Sequence, residues 1–535
     1  MCVHNHLNNN PVPRDEDSIH SKEHALWNRR SFLQALGLVG GGTMLLGTQT
    51  VSATKATPLS VALANNDNDR ILVIIRLDGG NDGLNTIVPI YDYDTYANLR
   101  PTIRHHENNL LRLDDSFGIP NYMDDLISVW GEGNMKIVHG VGYPEQNLSH
   151  FRSTNIWASV QDETVEPTGW WGRYFEELYP DYLINPPEVP PAVQIGNVGN
   201  LIFDGANSNY AFSMANIEQL QNVAENGTLH DVVNSPGCVY GDKLLFMRAT
   251  ANTTLTYSKV IQDAYSEGVN QVEYGSGDLA KQLASVARLI KGRLSAKVYL
   301  VSLGSFDTHA NQLNRHQNLL QDLSSSIKAF YDDLEIKGMD DEVLSMTISE
   351  FGRRPYENGS DGTDHGAASP IMLFGSGLNG SGFVGTHPDL STWDSNDNLI
   401  PTTHFQDVYS SILSHWFCLD KAVIDSVLLS NINPKLNLGF FCKGSTQATS
   451  SFKHAAVYTS NGVYIQINLD VTRHIEINLY DMLGRNIGTL ANQIFFQGKH
   501  SIHVEEAIGQ KLSMGQYIYR ISMGEEHFSK TFIFN

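Results

Sequence analysis

Residues 70–77 read RILVIIRL, with an unbroken run of Ile, Leu and Val from 71 to 75. A strand with one wet face alternates apolar and polar residues. A continuous aliphatic run instead suits a strand covered on both faces, the position of a central strand in a parallel sheet. The rhythm then repeats. Met123, Leu126, Ile127 and Trp130 make a helical stripe ahead of a strand over 135–141 (MKIVHGV). Leu279, Leu283, Val286, Ile290 and Leu294 mark a second helix face before 297–303 (KVYLVSL). Leu320, Leu323, Ile327, Phe330 and Leu334 mark a third before 342–349 (EVLSMTIS), and 369–374 with a helix over 404–417 extends the series. Alternating helical and strand periods predict an α/β domain with a mostly parallel central sheet and helices on both faces. Residues 179–275 are less periodic and read as an insertion or cap.

The period changes after Cys442. Residues 444–451 (GSTQATSS) are a polar linker, and the chain then alternates at 463–469 (VYIQINL), 474–480 (HIEINLY) and 515–521 (GQYIYRI). Short two-period strands separated by turns predict a small C-terminal β-sandwich. The division is 1–64 as N-terminal extension and leader, 65–442 as the α/β domain, 443–455 as linker and 456–535 as β-sandwich.

The 58 acidic residues against 36 Lys and Arg leave a formal charge of -22. That balance argues against general nucleic-acid binding, which needs a positive surface to meet phosphates. Of four cysteines, Cys2 precedes the leader and is lost with it, while Cys238, Cys418 and Cys442 leave room for one disulfide. Residues 28–33 (NRRSFL) precede a glycine-rich, moderately apolar run over 35–46, and together they resemble a twin-arginine export signal. The run is shorter than the roughly 20 residues of a membrane span, and no other stretch reads as one. Cleavage after Ala53, Ala56 or Ala64 fits equally. The expected localisation is export to the periplasm, then the cell surface or medium.

Polar groups recur where strands end. Asp78 follows the first strand directly. Asp307 and His309 (FDTH) follow 297–303, Glu350 (SEFGRR) ends 342–349, and Asp364 and His365 (GTDHG) precede 369–374. In open α/β sheets ligand groups gather beyond the carboxyl ends of strands. Carboxylates and imidazoles together are a ligand set for divalent cations. Each residue alone also fits a cap or turn. Taken together they predict one shared site for a divalent metal, with Zn, Mn, Mg and Ca all open. No phosphate-binding loop or dinucleotide fingerprint occurs, so nucleotide and nicotinamide cofactors have no support.

These motifs resemble the DUF1501 family. The resemblance runs from about 70 to 440 and rests on LDGGNDGLNT (77–86), SHFRSTNIW (149–157), FDTH (306–309), SEFGR (349–353) and GTDHG (362–366). The family is similar to the alkaline phosphatase and sulfatase superfamily, which implies metal-assisted transfer of phosphoryl or sulfuryl groups. By resemblance, Asp78, Asp307, His309, Glu350, Asp364 and His365 are metal ligands, and Ser149, opening a helix, stands where the nucleophile is expected. Asn155 stands where relatives commonly carry Asp, and the Asp307-x-His309 spacing is tighter than in typical phosphatases. His150 is expected to ligate or to protonate the leaving group, and Arg152 and Arg353 to hold the anion's oxygens. The tail resembles the C-terminal sorting domain of the type IX secretion system at YDMLGR (480–485) and MGQYIYR (514–520).

The function expected is an exported metal-dependent hydrolase of phosphate or sulfate esters. The alternative is a non-catalytic periplasmic or surface binding protein that keeps the fold. Expected partners are a small anionic ester, the twin-arginine translocon and outer-membrane secretion machinery.

Overall fold

The protein is described by a computed structural model at residues 43–46, 49–52 and 69–534, apart from 162–165, 183–184, 197–199, 216, 232–233, 235–238, 441, 443–452, 460–461, 470–472, 483, 497 and 524–525. The twin-arginine motif, the three candidate cleavage positions and Cys238 lie outside the described residues. Thr43–Leu46 pairs antiparallel with Gln49–Ser52.

The central sheet is built from β1 (Ile71–Leu77), β2 (Met135–Gly142), β3 (Ala192–Ile195), β4 (Ala211–Met214), β5 (Val298–Leu303), β6 (Val343–Ile348), β7 (Ser369–Phe374), β8 (Gly382–Val384) and β9 (Thr403–His404). Their spatial order is β8-β2-β7-β6-β1-β5-β3-β4, with β9 also paired to β2. The aliphatic run of β1 lies between β5 and β6, parallel to both, and Leu72 to Ile75 have no solvent exposure. Burial of about 1.5–3 kcal/mol per aliphatic side chain explains why this run takes the centre. Only β7 runs against its neighbours, antiparallel to both β2 and β6.

Helices α1 (Asp125–Gly131), α2 (His150–Ser159), α3 (Trp170–Leu178), α4 (Val239–Glu267), α5 (Asp278–Lys291), α6 (Gln312–Glu335) and α7 (Phe405–Ser411) flank this sheet. In α5, Leu279, Leu283, Val286 and Ile290 are all buried, as their spacing predicts. The helix expected over 404–417 divides instead into α7 and a π-helical turn, Ile412–Trp416. The 179–275 segment is not wholly an insertion, because it supplies β3 and β4 to the sheet edge. Each is only four residues long, too short for a period to register. Cys418 and Cys442 form a disulfide. Among the described residues no helix is long and apolar enough to cross a membrane.

The tail contains β10 (Lys453–Thr459), β11 (Gly462–Leu469), β12 (Arg473–Asp481), β13 (Asn486–Phe495), β14 (Gly498–His503), β15 (Gly515–Met523) and β16 (Glu526–Phe534). They form two antiparallel sheets, β10-β11-β14 and β13-β12-β15-β16. Val463, Ile465, Ile467 and Leu469 face inward on β11 to meet Ile475, Ile477, Tyr519 and Ile521. The first strand begins at Lys453, three residues before the expected boundary. The tail rests on the α/β domain: Arg520 pairs with Asp114 at 3.1 Å, and a side chain added at Gly131 would collide with Thr531.

Candidate metal centre

The polar residues expected at strand ends collect at one rim of the sheet. Asp78 follows β1, His150 opens α2 beyond β2, Asp307 and His309 follow β5, and Glu350 follows β6. His365 precedes β7, and because β7 runs backwards, the entry to that strand lies at the same rim as its neighbours' exits. Gly79 permits the crowding there. Its φ is +121°, and a Cβ would sit 2.2 Å from the backbone nitrogen of Asp307.

Asp307 is the hub. Its Oδ1 lies 3.1 Å from His309 Nε2 and 3.1 Å from His365 Nε2, and the two Nε2 atoms are 3.0 Å apart. His150 Nε2 approaches Oδ2 at 3.5 Å. Side-chain atoms of His150, Asp307 and His365 all lie within 4.8 Å of one another, a grouping able to hold a metal ion.

Each ring is oriented through its other nitrogen. His365 Nδ1 donates to the Leu148 carbonyl at 2.9 Å, His309 Nδ1 meets Asp364 Oδ1 at 3.1 Å, and His150 Nδ1 meets Glu350 Oε1 at 2.8 Å. A carbonyl or carboxylate oxygen can only accept, so Nδ1 carries a proton, and in a neutral ring the lone pair is then at Nε2. Three such lone pairs point toward one carboxylate. Bare nitrogens at this separation repel unless a cation or a proton lies between them. Edges of 3.0–3.1 Å suit ligands that share an ion about 2 Å from each.

The charge states agree with that reading. Burial alone would raise the Asp307 carboxyl, but hydrogen bonding from the Arg353 guanidinium and its positive charge hold it down at about 2. Burial lowers His365, which keeps its ring neutral. Asp364 is held low, against its own burial, by hydrogen bonds from Asn358 and His309. Glu350 is buried, its Oε1 accepts from the Gly79 N–H at 2.9 Å as well as meeting His150, and its Oε2 has no hydrogen-bond partner. A buried carboxylate oxygen without a donor is a position that a cation satisfies.

The remaining expected residues stand differently. Asp78 pairs with Arg76, and burial, partly opposed by that arginine, raises its carboxyl to about 6. Asp364 and Glu350 lie behind histidines as orienting acceptors. Arg353 is buried, and its guanidinium is occupied within the protein by Asp307 at 2.7 Å and the carbonyls of Gly79, Gly80, Phe306 and Thr363. The anion-holding role that the sequence reading gave it is therefore taken up by protein acceptors instead, and it braces Asp307. Ser149 is exposed at the N-cap of α2, its side chain making no capping bond, and Arg152 is half-buried in the first turn.

Sequence reasoning missed the supports. Gln146 Nε2 donates to the Glu350 carbonyl at 2.9 Å, and Asn358 Nδ2 donates to the His309 carbonyl at 2.9 Å and to Asp364 at 3.2 Å. Phe351 lies against the rings of both His150 and His365. Amides and a phenylalanine in loops carry no signal that distinguishes them from turn or core residues.

Residues 247–422 match a family model described as a protein of unknown function, DUF1501. No curated protein matches the chain. Among solved structures, a protein in the alkaline phosphatase superfamily from Vibrio parahaemolyticus is 9% identical over 86% of this chain and 78% of its own, at a TM-score of 0.27. The lipoteichoic acid synthase LtaP from Listeria monocytogenes is 9% identical over 69% and 80%, at a TM-score of 0.23. At TM-scores this low the likeness defines neither the fold nor the chemistry of this chain.

Proposed function

We propose that this chain is an exported, metal-dependent hydrolase of phosphate or sulfate esters. The observation that carries the proposal is the meeting of three oriented histidine Nε2 atoms with the ionised Asp307 at the sheet rim. His150, Asp307, His309 and His365 would hold a divalent ion. When bound, such an ion polarises an ester oxygen and lowers the pKa of an adjacent hydroxyl or water.

The chain's own residues supply the rest. Asp307 stays ionised because Arg353 donates to it from a buried position. Asp364, Glu350 and the Leu148 carbonyl fix the tautomers, so that no ring has to turn or lose a proton before binding. Ser149, exposed next to His150, is the nucleophile in this reading, and Arg152 on the same turn steadies the anion. The rim is open, with Asp307 and His309 each nearly half exposed, which lets a soluble ester reach it.

Export accounts for two further features. A disulfide is at home in an oxidising compartment, and the two-sheet tail suits the role of a sorting domain for outer-membrane secretion machinery. A non-catalytic binding protein is the second reading, favoured by the internal engagement of Arg353, which removes one of two expected anion clamps.

The discriminating experiment is metal analysis of the full chain purified without added metal, followed by turnover of p-nitrophenyl phosphate and p-nitrophenyl sulfate. Stoichiometric metal with turnover lost in Asp307→Ala supports the hydrolase. Metal without turnover supports the binding protein, and absence of both sinks the proposal.

A further inference from the structure

Beneath the rim, wholly buried, lies a side chain that no motif singles out: Gln312, the first residue of α6. Its Nε2 donates to Asp82 Oδ2, and since a carboxylate there can only accept, this contact sets the orientation of the amide. The carbonyl end then faces two hydroxyls. Thr308 Oγ1 donates to Gln312 Oε1 at 3.0 Å, and Thr363 Oγ1 donates to the same oxygen at 2.6 Å. Thr308 lies between Asp307 and His309, and Thr363 directly precedes Asp364 and His365. One amide oxygen therefore joins the two loops that carry most of the cluster.

The anchor behind it is a buried ion pair. Asp82 is held down, against full burial, by Arg100, whose Nη1 reaches its two oxygens at 2.8 and 2.6 Å. Arg100 also donates to the carbonyls of Arg354 and Pro355, at the other end of the second loop. Backbone bonds complete the seam: Thr363 N–H to the Thr308 carbonyl at 3.2 Å and Gln312 N–H to the Asp361 carbonyl at 2.9 Å. A Cβ at Gly362 would lie 2.4 Å from the His309 backbone, so the loops touch.

We infer that Gln312 is a positioning residue for the metal centre, its amide clamping the Thr308 and Thr363 loops onto the Asp82–Arg100 pair so that His309 and His365 meet. The inference rests on the proposed metal reading. The clamp acts through the threonine hydroxyls and touches none of the ligands, so removing it leaves the ligand set complete but unregistered. Outer-shell groups of this kind typically set affinity by roughly 10–100-fold.

The test uses the full chain stripped with a chelator and titrated calorimetrically with Zn²⁺, alongside amide exchange of the metal-free protein at 308–309 and 363–365. Gln312→Leu is expected to weaken Zn²⁺ by about 10–100-fold and to speed exchange in both loops. Thr308→Val and Thr363→Val, which keep side-chain shape, are expected to weaken Zn²⁺ singly yet add no further loss on the Gln312→Leu background. If Gln312→Leu does not fold, the coupling between the two valine variants decides, independent effects overturning the clamp. Tight Zn²⁺ binding that Gln312→Leu leaves unchanged, with loop exchange also unchanged, overturns the clamp alone. Absence of Zn²⁺ uptake by the wild-type chain overturns the metal reading beneath it.

Discussion

His309 Nε2 and His365 Nε2 lie 3.0 Å apart, each on the bare side of a ring whose Nδ1 already has an acceptor. Two lone pairs at that separation repel unless a cation or a proton lies between them. Replacing either histidine by alanine is expected to lower Zn²⁺ affinity beyond the roughly 10–100-fold typical of outer-shell changes, read by calorimetry on chelator-stripped protein. Unchanged affinity in both variants would place the ion elsewhere.

Glu350 Oε1 serves Gly79 N–H and His150 Nδ1 together. Glu350→Gln keeps an acceptor oxygen there, whereas Glu350→Ala leaves the Gly79 N–H and the His150 Nδ1–H without one. The alanine variant should lose about 1–3 kcal/mol of stability by urea unfolding, with the glutamine variant losing less. Equal losses would mean that Oε1 orients nothing.

Asp78 predicts a pH dependence. Burial raises its carboxyl to about 6 from 3.8, so the folded chain binds a proton that the unfolded chain does not between those values. Its ionised form therefore opposes folding above pH 6, and that penalty fades as pH falls toward 4. In chelator, Asp78→Asn should gain on the wild type at pH 8 by about 2 kcal/mol relative to the same comparison at pH 4. A difference independent of pH would show that Asp78 titrates normally.

The Cys418–Cys442 disulfide spans 24 positions. Closing a loop of that size restricts the unfolded chain and stabilises by roughly 3 kcal/mol. Replacing both cysteines with serine should lower the urea unfolding free energy by that order while leaving Zn²⁺ affinity intact, because no cluster residue lies between them.

Periodicity alone determined much of the architecture. An aliphatic run such as 70–77 loses too much by facing water to lie anywhere but the interior, and β1 lies at the centre of the sheet. Helix stripes such as Leu279, Leu283, Val286 and Ile290 identify their own buried face for the same reason. The strand-end positions of Asp78, Asp307 and Glu350 were equally legible, since a parallel strand delivers its last residues to one rim.

What the tertiary structure alone decided is how those residues meet. Residues 369–374 read as one more strand of the series, and local sequence does not say which way a strand runs. Only pairing against β2 and β6 reverses β7 and carries His365 to the shared rim. The division between ligand and support was likewise invisible, because Asp364 and Glu350 are the same kind of side chain as Asp307. Which carboxylate faces a bare Nε2 and which accepts from a protonated Nδ1 is set by distances of about 3 Å between loops far apart in the chain.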